Sequence, residues 1–372
     1  MVEWKPLNKI VKSISTGLNP RQNFTLNEKD ASLYYVTVKE ITTNKVVFSD
    51  STDRITEQAK HVINNRSKLS KGDILFSGIG TIGKVAYVDI PTNNWDCSES
   101  VFLIKPNEME TKGSYLAYIL SSDIAKNQYE RGAAGAIMKG VRKATLENLL
   151  IPIPSLEEQT RIVGILDTFT ASIDNLKEQI AQRRKQYEFY RDQLLDLEGK
   201  EGVEMKVLGD VCKLERGVRV VKKELKEDGI IPVYQNSLTP LGYFEKSNYP
   251  ENTPFVICAG AAGEIGFSKK LFWAADDCTC VVYPSSLNGK YIYHCLKIKQ
   301  SSLKSQVRKA SVPRLSKDVI GKLIVPIPSL SEQQRIVSIL DTFEASIRNL
   351  EAQLAQREKQ YEYYRNKLLT FE

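Results

Sequence analysis

The strongest constraint in this chain is an internal duplication. Residues 151–198 recur at 325–372 with a constant offset of 174, and 33 of the 48 aligned positions are identical. Chance does not produce such agreement, so the chain is built as domain, segment, domain, segment. The boundaries fall at 1–154, 155–198, 199–328 and 329–372. The domains preceding each copy share only scattered landmarks: Gly80-Thr81-Ile82-Gly83 against Gly263-Glu264-Ile265-Gly266 (offset 183), Trp95 against Trp273 (178), and Gly113-x-Tyr115 against Gly289-x-Tyr291 (176). Near-identical segments beside diverged domains imply a common scaffold that carries two different surfaces.

Each repeated segment reads as one long helix. Prolines in Ile/Val-Pro-Ile-Pro-Ser-Leu hold the entering backbone extended. Ser155 then stands three residues before Glu158, and Ser329 three before Glu332, the spacing of a capping box. No proline follows, so a helix of about 39 residues, nearly 60 Å at ~1.5 Å per residue, is expected from each copy. Apolar residues step by four and three: Ile162, Leu166, Phe169, Ile173, Leu176, Ile180 in the first copy and Ile336, Leu340, Phe343, Ile347, Leu350, Leu354 in the second. This narrow seam is the pattern of a coiled coil, and the obvious partner of each copy is the other. Arg183 and Arg357 interrupt both seams at the same position, as arginines lying at a seam edge with their stems buried. Because the first helix feeds directly into the second domain, the pair is expected to be antiparallel, with the domains at its opposite ends about a pseudo-twofold axis.

The charge separates along the same boundaries. The formal total is +7; residues 1–154 carry +4 and 199–328 carry +7, while the two helical segments carry −3 and −1. An electrostatic footprint for a polyanion therefore lies on the domains. Basic side chains there mix with glycine turns and amides: Lys39, Lys84, Arg131 with Lys139 and Arg142, Arg216 with Arg219, Gln235-Asn236, and Arg308 with Lys309 and Arg314. Arginine and lysine suit phosphate or guanine, and glutamine and asparagine suit adenine. Strand-like runs at 34–41, 46–48, 73–77, 85–90, 101–104, 255–258 and 280–283, with short helices at 115–120 and 291–298, make each domain α+β.

Several chemistries are disfavoured. The run 78–85 (GIGTIGKV) matches Gly-x-Gly-x-x-Gly and nearly matches a phosphate loop, but Val85 replaces the magnesium-binding hydroxyl and the following residues read as strand, so a hairpin turn is expected. Six scattered cysteines (Cys97, Cys212, Cys258, Cys278, Cys280, Cys295) and two histidines, His61 and His294, make neither a zinc motif nor a disulfide framework. No paired carboxylates, Gly-x-Ser-x-Gly or Asn-Pro-Pro-aromatic motif is present, so no catalytic residues and no metal are expected. No apolar run approaches the ~18 residues that span a bilayer, and the opening MVEWKPLNKI lacks a signal-peptide centre, so a cytoplasmic protein without a membrane partner is expected.

With its two copies of PIPSLxEQxRIVxILDTF, each after a diverged domain with a Gly-x-Ile-Gly turn and before a long heptad helix, the chain resembles the specificity (S) subunits of type I restriction-modification enzymes along its whole length. The resemblance implies an α+β fold: two target recognition domains separated by two long antiparallel coiled-coil helices. It implies a non-catalytic subunit that reads a bipartite, asymmetric sequence in double-stranded DNA. Its partners would be two methyltransferase (M) subunits and a restriction/motor (R) subunit, with S-adenosylmethionine and ATP bound by those partners and no cofactor on this chain. Candidate DNA contacts are Lys39, Lys84, Arg131, Lys139, Arg142, Arg216, Arg219, Gln235, Asn236 and Arg308. Two rival readings are a specificity subunit serving a fused restriction-methylation enzyme of another type, and a coiled-coil scaffold with no nucleic-acid role.

The helix reading carries its own test. Replacing Leu176 and Leu350 together by aspartate forces two charges into an apolar seam, at a cost of several kcal/mol. Chemical denaturation should show a large loss of stability; an unchanged midpoint would remove the seam.

Overall fold

The computed structural model describes residues 2–42, 44–131, 140–226 and 228–371. By its internal contacts the chain divides into two compact units, residues 1–176 with 353–372, and residues 177–352. Each is a mixed α+β unit, and the second repeats the sheet order of the first.

In the first unit, strand Glu3–Pro6 pairs antiparallel with Leu150–Ile153, as Glu204–Val207 pairs with Ile324–Ile327 in the second. A four-stranded sheet follows. Its order is Val11–Thr16, Val101–Pro106, Ile74–Ser77, Val85–Tyr87 in the first unit and Lys213–Arg216, Cys278–Val282, Thr253–Ile257, Ile265–Ser268 in the second. Beside it lies a three-stranded sheet centred on Leu33–Val36 or on Ile231–Tyr234. Each centre strand runs parallel to a short strand that opens with tryptophan, Trp95 or Trp273.

The larger sheet is covered on both faces, which explains why its strands read as continuous apolar runs rather than alternating ones. In Ile74–Ser77 every residue is buried. Ile74, Phe76, Phe102 and Ile104 pack toward helix Gly113–Leu120 and the long helices. Leu75, Val101 and Leu103 pack toward Val36, Trp95 and Cys97 of the smaller sheet. In the second unit Val256, Ile265 and Val281 face the helices, and Phe255, Ile257, Cys278 and Cys280 face the smaller sheet.

The expected strand 34–41 stops at Val36, because the backbone N–H and hydroxyl of Thr37 both donate to Glu40 Oε2 at 2.8 Å and fold the chain into a turn. The run 46–48 is no strand; Val46 makes a single bridge to Ile41. The units diverge most at the smaller sheet. The first adds helix Glu57–Asn64, capped by Thr56 Oγ1, which accepts from Ala59 N, and packs Ala59 and Ile63 on Leu33, Tyr35 and Ile55. The second has no such helix among the described residues; its strand Gly242–Phe244 takes the place of Arg54–Ile55 beside the centre strand.

The duplicated segments form the helices Leu156–Leu195 and Leu330–Leu369. Ser155 Oγ accepts from Glu158 N at 3.2 Å and Ser329 Oγ from Glu332 N at 3.3 Å. The glutamates do not complete the box; each is held by the arginine three residues on, Arg161 or Arg335. Gln159 and Gln333, both fully buried, fasten each helix to its unit. Gln159 donates to Pro154 O and accepts from Lys112 N; Gln333 donates to Pro328 O and accepts from Asn288 N.

Within each unit the first half of one long helix packs on the last half of the other, which is the antiparallel sense. In the first unit Ile162, Leu166 and Ile173 share a core with Tyr361 and Leu369, and Phe169 stacks on Tyr364 at 5.3 Å. In the second, Ile336 and Leu340 share a core with Leu195, and Phe343 stacks on Tyr190 at 5.3 Å. The seam arginines have a definite place. Arg357 lies over the ring of Phe169 at 5.8 Å, and Arg183 over Phe343 at 5.9 Å, so each closes a cation and ring stack in its own unit.

Where helix meets domain, the units part chemically. Tyr118 Oη donates to Asp167 in the first. The second has His294 at the equivalent helix position, with Lys290 paired to Asp341 and Glu344. His294 is fully buried; its Nδ1 lies 3.4 Å from Tyr187 Oη, and its Nε2 has no hydrogen-bond partner among the described residues. Among those residues no helix is long and apolar enough to cross a membrane.

Burial pushes the His294 imidazole down to about 4, against the usual 6.5. The unfolded chain therefore takes up this proton near pH 6.5 and the folded chain only near pH 4, so stability falls as pH drops through that window and levels off below it. The group accounts for about 3 kcal/mol of that loss. His294→Phe should flatten the curve between pH 6.5 and about 5; the Glu344 carboxylate, lowered overall by the Lys290 ammonium against its own desolvation, adds its own loss only as pH falls toward its ordinary 4.5 and below. Parallel curves for the two proteins would refute this.

Candidate nucleic-acid interface

In each unit the basic residues gather around one glycine turn. In the first, residues 78–84 join the antiparallel strands Ile74–Ser77 and Val85–Tyr87, so the glycine run is a hairpin turn and no helix follows it. Gly80 and Gly83 take φ of +81° and +82°, conformations that side chains with a Cβ rarely adopt.

The equivalent turn corrects a sequence alignment. Gly260 and Gly263, with φ of +81° and +86°, occupy the places of Gly80 and Gly83, so the true offset is 180 rather than 183. The spacing Gly260-Ala-Ala-Gly263-Glu-Ile-Gly266 satisfies the same motif in two registers, and only backbone conformation separates them. Gly266 lies in a strand, where a Cβ would strike the Phe255 ring. Lys84 consequently corresponds to Glu264. Their surroundings differ accordingly: Lys84 Nζ donates to Val38 O at 2.9 Å, whereas Glu264 accepts from Lys304 at 2.6 Å and from Gln300 at 2.8 Å.

Most candidates of the first unit adjoin this turn. Lys39 is exposed in the turn after Leu33–Val36, next to the Val38 carbonyl that receives Lys84. Ile79 bridges Gly140, and Val141 N donates to Gly78 O at 2.9 Å, which brings exposed Arg142 beside the turn at the N-terminus of Lys143–Glu147. Arg131 is exposed at the end of helix Asp123–Arg131, whose Tyr129 hydroxyl packs against Gly83. Lys139 lies outside the described residues.

In the second unit the candidates converge more tightly. Asn236 O accepts from Ala261 N at 2.9 Å, tying residues 235–237 to the turn, and Gln235 Nε2 reaches Asp277 at 3.5 Å. Ala259 bridges Arg314, and Arg314 pairs by backbone with Arg308. Arg216 Nε donates to Asp276 O at 2.6 Å. Arg219 is exposed in the next loop, anchored where Val218 N donates to Ala274 O. Of these, Arg216, Ala259 and Arg314 line a cavity of about 190 Å³.

A search of the sequence for cations and amides missed Asp276, Asp277, Cys258 and Lys317, which also line that cavity. The sequence signal for the two aspartates is an acidic pair inside a strongly basic domain. The six cysteines are free, and all but Cys258 are buried. Burial raises their thiols above the usual range where a shift is resolved, leaving them as small apolar groups. Among the described residues no group of three His, Cys, Asp or Glu is placed to hold a metal.

A family model described as the type I restriction modification DNA specificity domain matches residues 1–183 and 200–358. The chain is 27% identical over 406 aligned residues to the EcoR124I/EcoR124II type I restriction enzyme specificity subunit of Escherichia coli, covering 100% of this chain and 94% of that one. It is 33% identical over 275 residues to a putative type I restriction enzyme specificity subunit of Haemophilus influenzae, covering 64% of this chain and 68% of the relative. Among solved structures, the S subunit of a type I restriction-modification system from M. genitalium has the same fold, with a TM-score of 0.66 at 18% identity, over 100% of this chain and 97% of that one.

The turn geometry predicts unequal effects of one substitution at two glycines. Gly80→Ala pays only the left-handed backbone, about 1–2 kcal/mol, since nothing lies within 4 Å of an added Cβ. Gly83→Ala also collides with the Tyr129 hydroxyl and should cost distinctly more. Thermal unfolding of the two variants measures the difference; equal losses would mean that Tyr129 does not pack on the turn.

Proposed function

The chain belongs to the family of type I restriction modification DNA specificity domains, and from that premise we propose that it is the non-catalytic subunit that addresses such an enzyme to a bipartite, asymmetric sequence in double-stranded DNA. The observation that carries this reading is the glycine turn ringed by cations in both units, on one framework with two different sets of side chains. A sheet covered on both faces and a helix fastened by a buried glutamine hold each turn rigidly. Rigid turns position side chains against bases with little entropy lost on binding.

Lys39, Lys84, Arg131, Lys139 and Arg142 would serve one half-site and Arg216, Arg219, Gln235, Asn236 and Arg308 the other. Most are exposed, as phosphate contacts require. Two methyltransferase subunits are the proposed partners, with a restriction/motor subunit for cleavage. The partners would bind S-adenosylmethionine and ATP and carry the catalysis, with the target base flipped into the methyltransferase pocket. A scaffold without nucleic-acid contact leaves the segregation of positive charge onto the domains unaccounted for.

Binding of full-length protein to duplex DNA across a salt series tests the proposal. Log affinity should fall linearly with log salt, at about one unit of slope per phosphate contacted. Methylation mapped in cells that express the chain with its methyltransferase should reveal a split motif with an unread spacer. A continuous motif, or affinity indifferent to salt, would overturn the proposal.

A further inference from the structure

The cavity of the second unit contains carboxylates where a surface built for phosphates alone would have none. We infer that Arg216 and Asp277 together read the major-groove edge of one G·C base pair, with Asp276 positioning the arginine; this rests on the DNA-recognition reading above.

Arg216 ends strand Lys213–Arg216 and keeps its side chain 64% exposed. Its Nε is committed to Asp276 O at 2.6 Å, and the guanidinium stands 4.0 Å from Asp276 Oδ2. Anchoring through Nε fixes the plane of the fork and leaves the terminal amino groups as its remaining donors. A guanidinium held this way suits the paired O6 and N7 acceptors of guanine, the commonest specific contact of arginine.

The carboxylates supply the complementary half. Arg314 and Lys317 line the same cavity, so the surroundings attract phosphate. A carboxylate among them opposes phosphate and has one useful partner on DNA, an exocyclic amino group. Asp277 has the capacity: among the described residues its Oδ2 takes only a long 3.5 Å bond from Gln235. Asp276 Oδ1 is buried and meets no donor among the described residues. An acceptor so placed favours closer approach of the nearby guanidinium.

In the major groove a G·C pair offers two acceptors on guanine beside the amino donor of cytosine. That matches an arginine beside a carboxylate. An A·T pair gives Arg216 one acceptor, with the N6 donor beside it, and presents thymine O4 to Asp277, so both contacts are poorer. Among the described residues the constellation is found in the second unit. Thr16 stands where Arg216 does, each just before the glycine, Gly17 or Gly217, that bonds back to the sheet.

The test presents the full chain, assembled with its methyltransferase partner, with duplexes randomised over the target, and sequences the bound fraction. Wild type should enrich a split motif with a fixed G·C pair in one half. Arg216→Ala and Asp277→Asn should each lower the preference at that same position by about tenfold or more, leaving the other positions and the other half-site intact. Asp276→Asn should lower that preference while its thermal stability stays near wild type. Uniform loss across all positions with a shallower salt slope would make Arg216 a phosphate contact and overturn the inference. So would losses at different positions for Arg216 and Asp277. No motif from wild type would instead refute the recognition reading.

Discussion

Everything each unit presents depends on how its long helix is fastened to the sheet domain, and one buried amide does that work. Gln159 and Gln333 sit fully buried just past the helix start. Each amide donates to the proline carbonyl five residues back and accepts from the backbone N–H at the entry to the neighbouring helix, Lys112 or Asn288. A buried amide that lost these partners would forfeit about 1–3 kcal/mol and the entry angle as well. The joint is reinforced at Tyr115 and Tyr291, whose hydroxyls donate to Pro152 O and Pro326 O at 2.9 Å. The repeated Pro-Ile-Pro-Ser-Leu-x-Glu-Gln is thus the sequence of a structural joint, which is why it survives in both copies while the surfaces beside it do not.

Rigidity at the joint allows variety at the edge. The four-stranded sheets, the helices after them and the glycine turns correspond in the two units, whereas the smaller sheets are finished differently: a capped helix packs on Leu33 and Tyr35 in one, and among the described residues the other has no such helix. The turns themselves keep the same backbone and exchange Lys84 for Glu264. A lysine bonded to a backbone carbonyl keeps a net positive charge at one turn, whereas a glutamate clamped by Lys304 makes a neutralised ion pair at the other. The two turns therefore present different charge patterns on the same backbone.

Much of this was legible in the residues. Duplicated helices, their caps and seam, and the antiparallel pairing follow from a 3.5-residue period, Ser155 and Ser329, and direct connection into the second domain. Continuous apolar runs marked the sheet strands, and Val85 with its strand-like successors marked 78–85 as a hairpin. Less legible were features decided by a single side chain. Glu40 ends the strand at Val36, and Thr56 starts a helix that period alone does not reveal. The register of Gly260 and Gly263 was ambiguous because the motif repeats every three residues. Asp276 and Asp277 escaped notice because acidic residues are not sought on a basic surface, and only folding brings them to Arg216.

The sequence alone determined the repeat, the helix length, the separation of charge and the family, since these depend on local periodicity and on order along the chain. Only the tertiary structure decided that Arg183 and Arg357 lie over phenylalanine rings, that Lys84 answers to Glu264, and that Arg216, Asp276 and Asp277 share one cavity. Those facts depend on which distant residues meet, and a one-dimensional pattern does not encode such meetings: burial and hydrogen-bond satisfaction in three dimensions select them.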